Sequence, residues 1–72
     1  MPRKTVTDAD RQLAANTKAR RLEADLTQQD LAVAVGCHAS SIYWLERDGR
    51  CSIELLRKIA TELDCTPGDL LG

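Results

Sequence analysis

The sequence contains no phenylalanine, and its only aromatic residues are Tyr43 and Trp44. A hydrophobic interior must therefore be built from Leu, Ile, Val and Ala, which dominate the 43% of the chain that is apolar. Such a composition favours packed helices over a β-sandwich, which would need more β-branched and aromatic alternation. The 72 residues allow one small domain, which needs well-packed helices or a second copy of the chain to be stable.

Further absences exclude whole classes of protein. The cysteines Cys37, Cys51 and Cys65 form no CxxC pair and lie fourteen residues apart, so neither a disulfide scaffold nor a zinc site is expected. There is no signal-like start and no apolar run long enough to span a membrane. With one histidine, His38, and no glycine-rich phosphate loop, no catalytic constellation is apparent. We expect no enzymatic activity, metal, cofactor, small-molecule ligand or membrane partner. One alternative left open is that Cys37, at a helix start, has a lowered thiol pKa.

Charge is distributed unevenly along the chain. Residues 1–24 carry six basic and three acidic side chains, a balance of +3, whereas residues 25–72 carry four basic and eight acidic ones, a balance of −4. The net charge of −1 is unusual for a nucleic-acid-binding domain. The uneven distribution could turn one face toward phosphate, or it could be ordinary solvated charge.

Cap residues and hydrophobic periodicity predict five helices and no strands. A flexible basic arm over residues 1–7 is expected to precede a single domain over residues 8–72. The helices should run from 8 to about 24, from 28 to about 35, from about 39 to 45–47, and then from 53 and from 67. Four of them follow good N-cap residues, namely Thr7 or Asp8, Thr27, Ser52 and Thr66. The third follows Cys37 and His38, neither of which is a good cap.

Apolar residues at helical spacing mark the faces that should be buried. The expected core residues are Leu13, Ala14, Thr17 and Ala24 on the first helix, Leu31, Ala32 and Val35 on the second, Ile42 and Leu45 on the third, Ile53, Leu56, Ile59, Ala60 and Leu63 on the fourth, and Leu70 and Leu71 on the last.

The second and third helices meet at Gly36, with no room between them for a real loop. A glycine there supplies the positive φ that lets the chain leave one helix and enter the next at a steep angle. This arrangement is typical of a helix-turn-helix, whose second helix can lie in the major groove of DNA.

The order of several motifs extends this interpretation to nearly the whole chain. LxxNxKxxRxxxxLTQxxLAxxxG is followed by SxIxxLE, a turn with glycine, SIELLRKIAxxL and TPxxLL. From Leu13 to Leu71 the chain resembles the DNA-binding domain of phage repressors and Cro proteins, the Cro/C1-type or XRE-type helix-turn-helix. The resemblance implies an all-α, five-helix lambda-repressor-like fold, a palindromic double-stranded DNA operator, a homodimer and transcriptional control. It places the protein in a prokaryotic cytoplasm or a phage-infected host.

The resemblance also implies roles for individual side chains. Arg21 and Glu46 match a pair that forms an inward-facing ion pair in many members, and an arginine can bind a carboxylate bidentately. The candidates for reading bases are His38, Ala39, Ser40, Tyr43 and Trp44. The candidates for phosphate contacts are Arg3, Lys4, Gln28, Ser41, Arg47 and Arg50.

Three departures from the family pattern stand out. Thr17 occupies a position where the family prefers Ile or Leu, and Asp25 one that is often Gly. The third helix has no Gln, Asn, Arg or Lys before Arg47, although these residues make the bidentate base contacts. Trp44 could pack against thymine methyls or sugars, or against another protein chain.

The sequence is compatible with two functions. The first is a small sequence-specific regulator, most simply a homodimeric repressor of the Cro-like, restriction–modification controller or antitoxin-like kind, without an effector-binding or self-cleavage module. The second is a protein-binding module on the same fold that contacts a toxin, polymerase or another regulator, since Tyr and Trp are common at binding hot spots.

Overall fold

A computed structural model describes residues 7–72, so Arg3, Lys4 and nearly all of the predicted arm lie outside the described residues. Within that range the chain forms α1 (Asp8–Glu23), α2 (Gln28–Val35), α3 (Ala39–Asp48), α4 (Ile53–Glu62) and α5 (Pro67–Leu71). No strand occurs among residues 7–72, and the prediction of an all-α, five-helix fold is confirmed. None of the helices described is both long and apolar enough to cross a membrane.

Side-chain caps explain where four of the five helices begin. In each of three capping boxes a threonine hydroxyl accepts from the backbone N–H of an aspartate three residues on, and that aspartate accepts from the threonine N–H, with all distances 3.0–3.1 Å. The boxes pair Thr7 with Asp10, Thr27 with Asp30, and Thr66 with Asp69. Ser52 caps α4, but α3 begins at His38 with no side-chain cap.

Four residues between helices adopt a left-handed conformation. Gly36 and Gly49 have φ of +77° and +72°, and Asp25 and Asp64 have φ of +60° and +56°. Asp25 thus adopts a left-handed conformation, which explains why the family often has glycine at this position. The N–H of the next residue, Leu26, donates to the Arg21 carbonyl oxygen at 3.1 Å, so α1 ends in a Schellman-type turn.

The core is a single aliphatic cluster. α1 packs against α3 and α5, while α2 packs against α3 and α4. The predicted faces of α2 and α3 are confirmed, because all of their core residues are buried. The cluster consists of Leu13, Leu31, Ala32, Val35, Ile42, Leu45, Leu56, Ile59, Ala60, Leu63 and Leu70.

Three predicted core positions are wrong. Ala24 is exposed because it forms the C-cap of α1, and the buried face of that helix continues through Arg21 instead. Ile53 is 67% exposed, since it begins α4 at the edge of the buried stripe. Leu71 is 50% exposed: neighbouring residues of a helix point about 100° apart, so Leu70 alone faces the core.

Thr17 is fully buried, yet its hydroxyl has no hydrogen-bond partner among the residues described. The threonine stands where the family prefers a larger aliphatic residue. Burying an unpaired hydroxyl costs free energy that Ile or Leu would not require. The hydroxyl of Thr17 therefore reduces the free energy that α1 gains by packing into the core.

Candidate nucleic-acid interface

The helix-turn-helix is formed by α2, the turn at Gly36 and α3. Ile42 and Leu45 on α3 are completely buried against the rest of the domain. Because α-helical side chains repeat every 3.6 residues, burying this side turns the opposite side of α3 outward. The orientation of α3 therefore follows from aliphatic packing.

The outward side of α3 is a ridge formed by Ser40, Tyr43, Trp44 and Arg47, called here the outer ridge; all four residues are exposed. The Tyr43 and Trp44 rings, 47% and 48% exposed, meet edge to face with centroids 5.3 Å apart and planes at 78°. The Arg47 guanidinium carbon lies 5.2 Å from the centre of the Trp44 ring, in cation–π contact. The outer ridge thus combines aromatic faces with a positive charge.

Beneath the outer ridge, Arg21 of α1 and Glu46 of α3 form a buried, bidentate ion pair. Arg21 Nε donates to Glu46 Oε2 at 2.6 Å, and Arg21 Nη2 donates to Oε1 at 3.0 Å. The remaining guanidinium nitrogen, Nη1, donates to the Leu26 carbonyl oxygen at 2.7 Å. The hydrogen bond with Glu46 raises the pKa of Arg21 above its already high ordinary value, although burial opposes it.

Gln28, the first residue of α2, also belongs to this network. Its Nε2 donates to Glu46 Oε1 at 3.2 Å. The carboxylate of Glu46 thereby links three helices and fixes the rotation of α3 about its own axis. The Gln28 amide, predicted to contact phosphate, uses one of its two N–H groups for this internal bond.

The other predicted contact residues on and beside α3 differ in how far they are exposed. His38 is exposed at the start of α3, whereas Ala39 and Ser41 are half-buried and Ala39 packs against the core. Arg50 is exposed and follows the turn at Gly49. Their contacts with bases or phosphates remain predictions.

One cleft joins α1, α2 and α3 beside the outer ridge. It has a volume of about 290 Å³ and is lined by Lys18, Gln28, Tyr43, Glu46 and Arg47. Lys18 was not among the contact residues expected from the sequence. Lys18 lies three residues before Arg21, so both side chains are on the same side of α1. Because Arg21 was expected to pair with Glu46 of α3, this spacing could have indicated that Lys18 lies near α3 as well.

The three cysteines differ from the expectation that remained open for Cys37. All three are free and half-buried, and burial raises the pKa of each thiol. The alternative of a lowered thiol pKa at Cys37 is therefore wrong. No group of three His, Cys, Asp or Glu side chains that could hold a metal ion occurs among residues 7–72.

The chain was compared with curated proteins and with models of protein families. No curated protein matches the chain significantly. A family model of the Cro/C1-type HTH DNA-binding domain matches residues 18–72, which include the end of α1 and all of α2 to α5. Because that match spans well over half of the sequence, the chain belongs to the Cro/C1-type helix-turn-helix family of DNA-binding domains.

Proposed function

We propose that this protein is a sequence-specific transcriptional regulator, a repressor that binds a palindromic operator as a homodimer. One observation carries the proposal most strongly. The inner side of α3 is fixed by buried Ile42, Leu45 and the Arg21–Glu46 pair, whereas the aromatic rings of the outer ridge are about half exposed. A helix anchored along its inner side, with an accessible outer side, suits major-groove recognition.

In this proposal α3 enters the major groove through its outer ridge. Ser40 can donate to or accept from a base edge, while Ala39 and Trp44 can contact thymine methyl groups. His38 and Tyr43, at the start and middle of α3, complete the set of base-reading candidates. The aromatic and small side chains would make recognition depend on shape and methyl groups more than on bidentate hydrogen bonds.

Phosphate contacts would hold the register of the domain on the duplex. The residues proposed for them are Arg3, Lys4, Gln28, Ser41, Arg47 and Arg50. In a homodimer, two copies of α3 would read half-sites separated by about 10 bp, one helical turn. Binding across a promoter would repress transcription by excluding polymerase, as a Cro-like, controller-type or antitoxin-like regulator in a prokaryotic cytoplasm would do, without enzymatic activity.

The direct test is an electrophoretic mobility shift with duplexes covering the DNA upstream of the gene, compared with random duplex of equal length. We expect a specific complex whose affinity falls log-linearly as salt concentration rises. If neither upstream DNA nor duplexes selected from a random library bind at low salt, the regulator proposal is wrong.

A double variant tests whether the outer ridge carries sequence discrimination. Ser40→Ala combined with Trp44→Ala should abolish the preference for the selected duplex over random DNA, while far-UV circular dichroism remains unchanged. Val33→Ala is the matched control, because Val33 is 69% exposed on α2 and lies outside the outer ridge. A double variant that still discriminates would show that the reading surface is assigned to the wrong residues.

The second candidate, a protein-binding module for a toxin, polymerase or another regulator, is favoured by one observation. Tyr43, Trp44 and Arg47 form a contiguous exposed cluster, and these residue types dominate protein-binding hot spots. This function predicts no salt-dependent duplex binding. The mobility-shift experiment therefore separates the two candidates.

A further inference from the structure

We propose that Lys18, on α1, binds a DNA backbone phosphate in the cleft between α1, α2 and α3, and so extends the interface beyond the helix-turn-helix. This inference rests on the proposed function, because it names a further contact of the same DNA-binding surface. The observations that support it are the composition of the cleft, its charge and its place beside the outer ridge.

The cleft brings together groups that suit a phosphate. Lys18 contributes an ammonium from α1, and Arg47 contributes a guanidinium from the outer ridge. Tyr43 adds a hydroxyl, and the Gln28 amide retains a second N–H after donating one to Glu46. All of these groups can donate hydrogen bonds to a phosphate, which accepts several.

The one anion that lines the cleft, Glu46, is already neutralised. Its two carboxylate oxygens accept from Arg21 and Gln28, and its side chain is only 4% exposed. Lys18, by contrast, is exposed and takes part in no hydrogen bond or ion pair among residues 7–72. Arg47 has an exposed ion pair with Asp48 at 3.9 Å, so Lys18 is the cation of the cleft that no acidic side chain among residues 7–72 balances.

The position of the cleft favours a DNA phosphate over a carboxylate of a protein partner. It lies between the first residue of α2 and the side of the outer ridge that carries Tyr43 and Arg47. When α3 lies in the major groove, the sugar–phosphate strands form the walls of that groove on either side of it. A lysine on α1 beside the ridge would then face one of those strands.

The role of Lys18 is tested by measuring how duplex affinity depends on salt concentration. Filter binding of the full chain to a duplex selected from a random library, and to random duplex, is measured over a series of KCl concentrations for wild type and Lys18→Gln. We expect the slope of log K against log[salt] to become less steep by about 1 in the variant. Affinity for both duplexes should fall by the same factor, because a phosphate contact carries no sequence information.

Arg20→Gln is the matched control. It removes the same charge from α1, but Arg20 lines a different depression, with Glu23, Ala24 and Leu63. Its slope should equal that of wild type, and Lys18→Arg should retain the wild-type slope as well. Circular dichroism spectra establish that the variants are folded.

The outcomes separate this inference from the proposed function. If wild type binds DNA with a steep salt dependence and Lys18→Gln changes the slope no more than Arg20→Gln does, the assignment of Lys18 is wrong while the regulator remains. If wild type binds no duplex at low salt, the proposed function itself fails, and the phosphate site fails with it.

Discussion

The two ends of α3 are held in different ways. At the C-terminal end, Glu46 is bound bidentately by Arg21, and Gly49 lies so close to α1 that a Cβ atom there would overlap the Asp10 carbonyl group. At the N-terminal end, Gly36 has nothing within 4 Å of the position of a Cβ, and His38 provides no side-chain cap. The two glycines share nearly the same φ, but only Gly49 is also required by packing.

This difference indicates which end sets the orientation of α3. Buried contacts with α1 fix the C-terminal half, whereas the first turn depends on backbone hydrogen bonds and on half-buried Ala39. Segments with few buried contacts open at lower free-energy cost than segments with many. The first turn of α3, which carries Ser40, can therefore adjust to a ligand while the end of the helix stays in place.

The largest effect is expected from Gly49→Ala. The new methyl group would meet backbone atoms of α1, which cannot move aside as a flexible side chain can, and the residue would also keep a positive φ. We expect the free energy of unfolding to fall by more than about 3 kcal/mol, measured by urea denaturation. A loss of under about 1 kcal/mol would mean that α1 and the turn are not in close contact in solution.

Glu46→Ala should have the next largest effect. It leaves the Arg21 guanidinium buried without its carboxylate, which typically costs about 3 kcal/mol. Glu54→Ala is the matched control, because Glu54 pairs with Lys58 at 3.4 Å in an exposed i, i+4 arrangement. That variant should lose no more than about 0.5 kcal/mol. Equal losses in the two variants would show that the Arg21–Glu46 pair does not anchor α3.

Gly36→Ala probes the opposite end of α3. Only the left-handed conformation disfavours alanine at this position, since there is open space around the missing Cβ. We expect a loss of about 1 kcal/mol in the same denaturation experiment. If Gly36→Ala proved as damaging as Gly49→Ala, the N-terminal turn would be as tightly packed as the C-terminal one, and the contrast between them would disappear.

His38→Ser should have the smallest effect and the opposite sign. Serine can accept a hydrogen bond from a backbone N–H in the first turn of α3, a bond that His38 does not make. We expect stabilisation of about 0.5–1 kcal/mol, seen as a raised midpoint of thermal unfolding. An unchanged midpoint would indicate that the first turn of α3 is already satisfied by other groups.

Local signals in the sequence were sufficient for much of the fold. The threonine–aspartate pairs spaced three apart place the starts of α1, α2 and α5, because a capping box is formed by residues that are neighbours in sequence. Gly36 and Gly49 mark the ends of α2 and α3 for the same reason. The pairing of Arg21 with Glu46 came instead from resemblance to a family.

The remaining features depend on contacts between distant residues. No local pattern shows that Gly49 approaches Asp10, that Gln28 donates to Glu46, or that Lys18 shares a cleft with Arg47. The exposure of Ile53 and Leu71 likewise depends on which neighbouring helices cover α4 and α5. Periodicity identifies an apolar face, but it does not determine how far along the helix that face is covered.

The Tyr43–Trp44–Arg47 cluster has a practical consequence. Trp44 is the only indole in the chain, and its ring is about half exposed on the outer ridge. Its intrinsic fluorescence is thus emitted from the surface that would meet a ligand, so quenching or a spectral shift on titration would report occupancy of that surface without any attached dye.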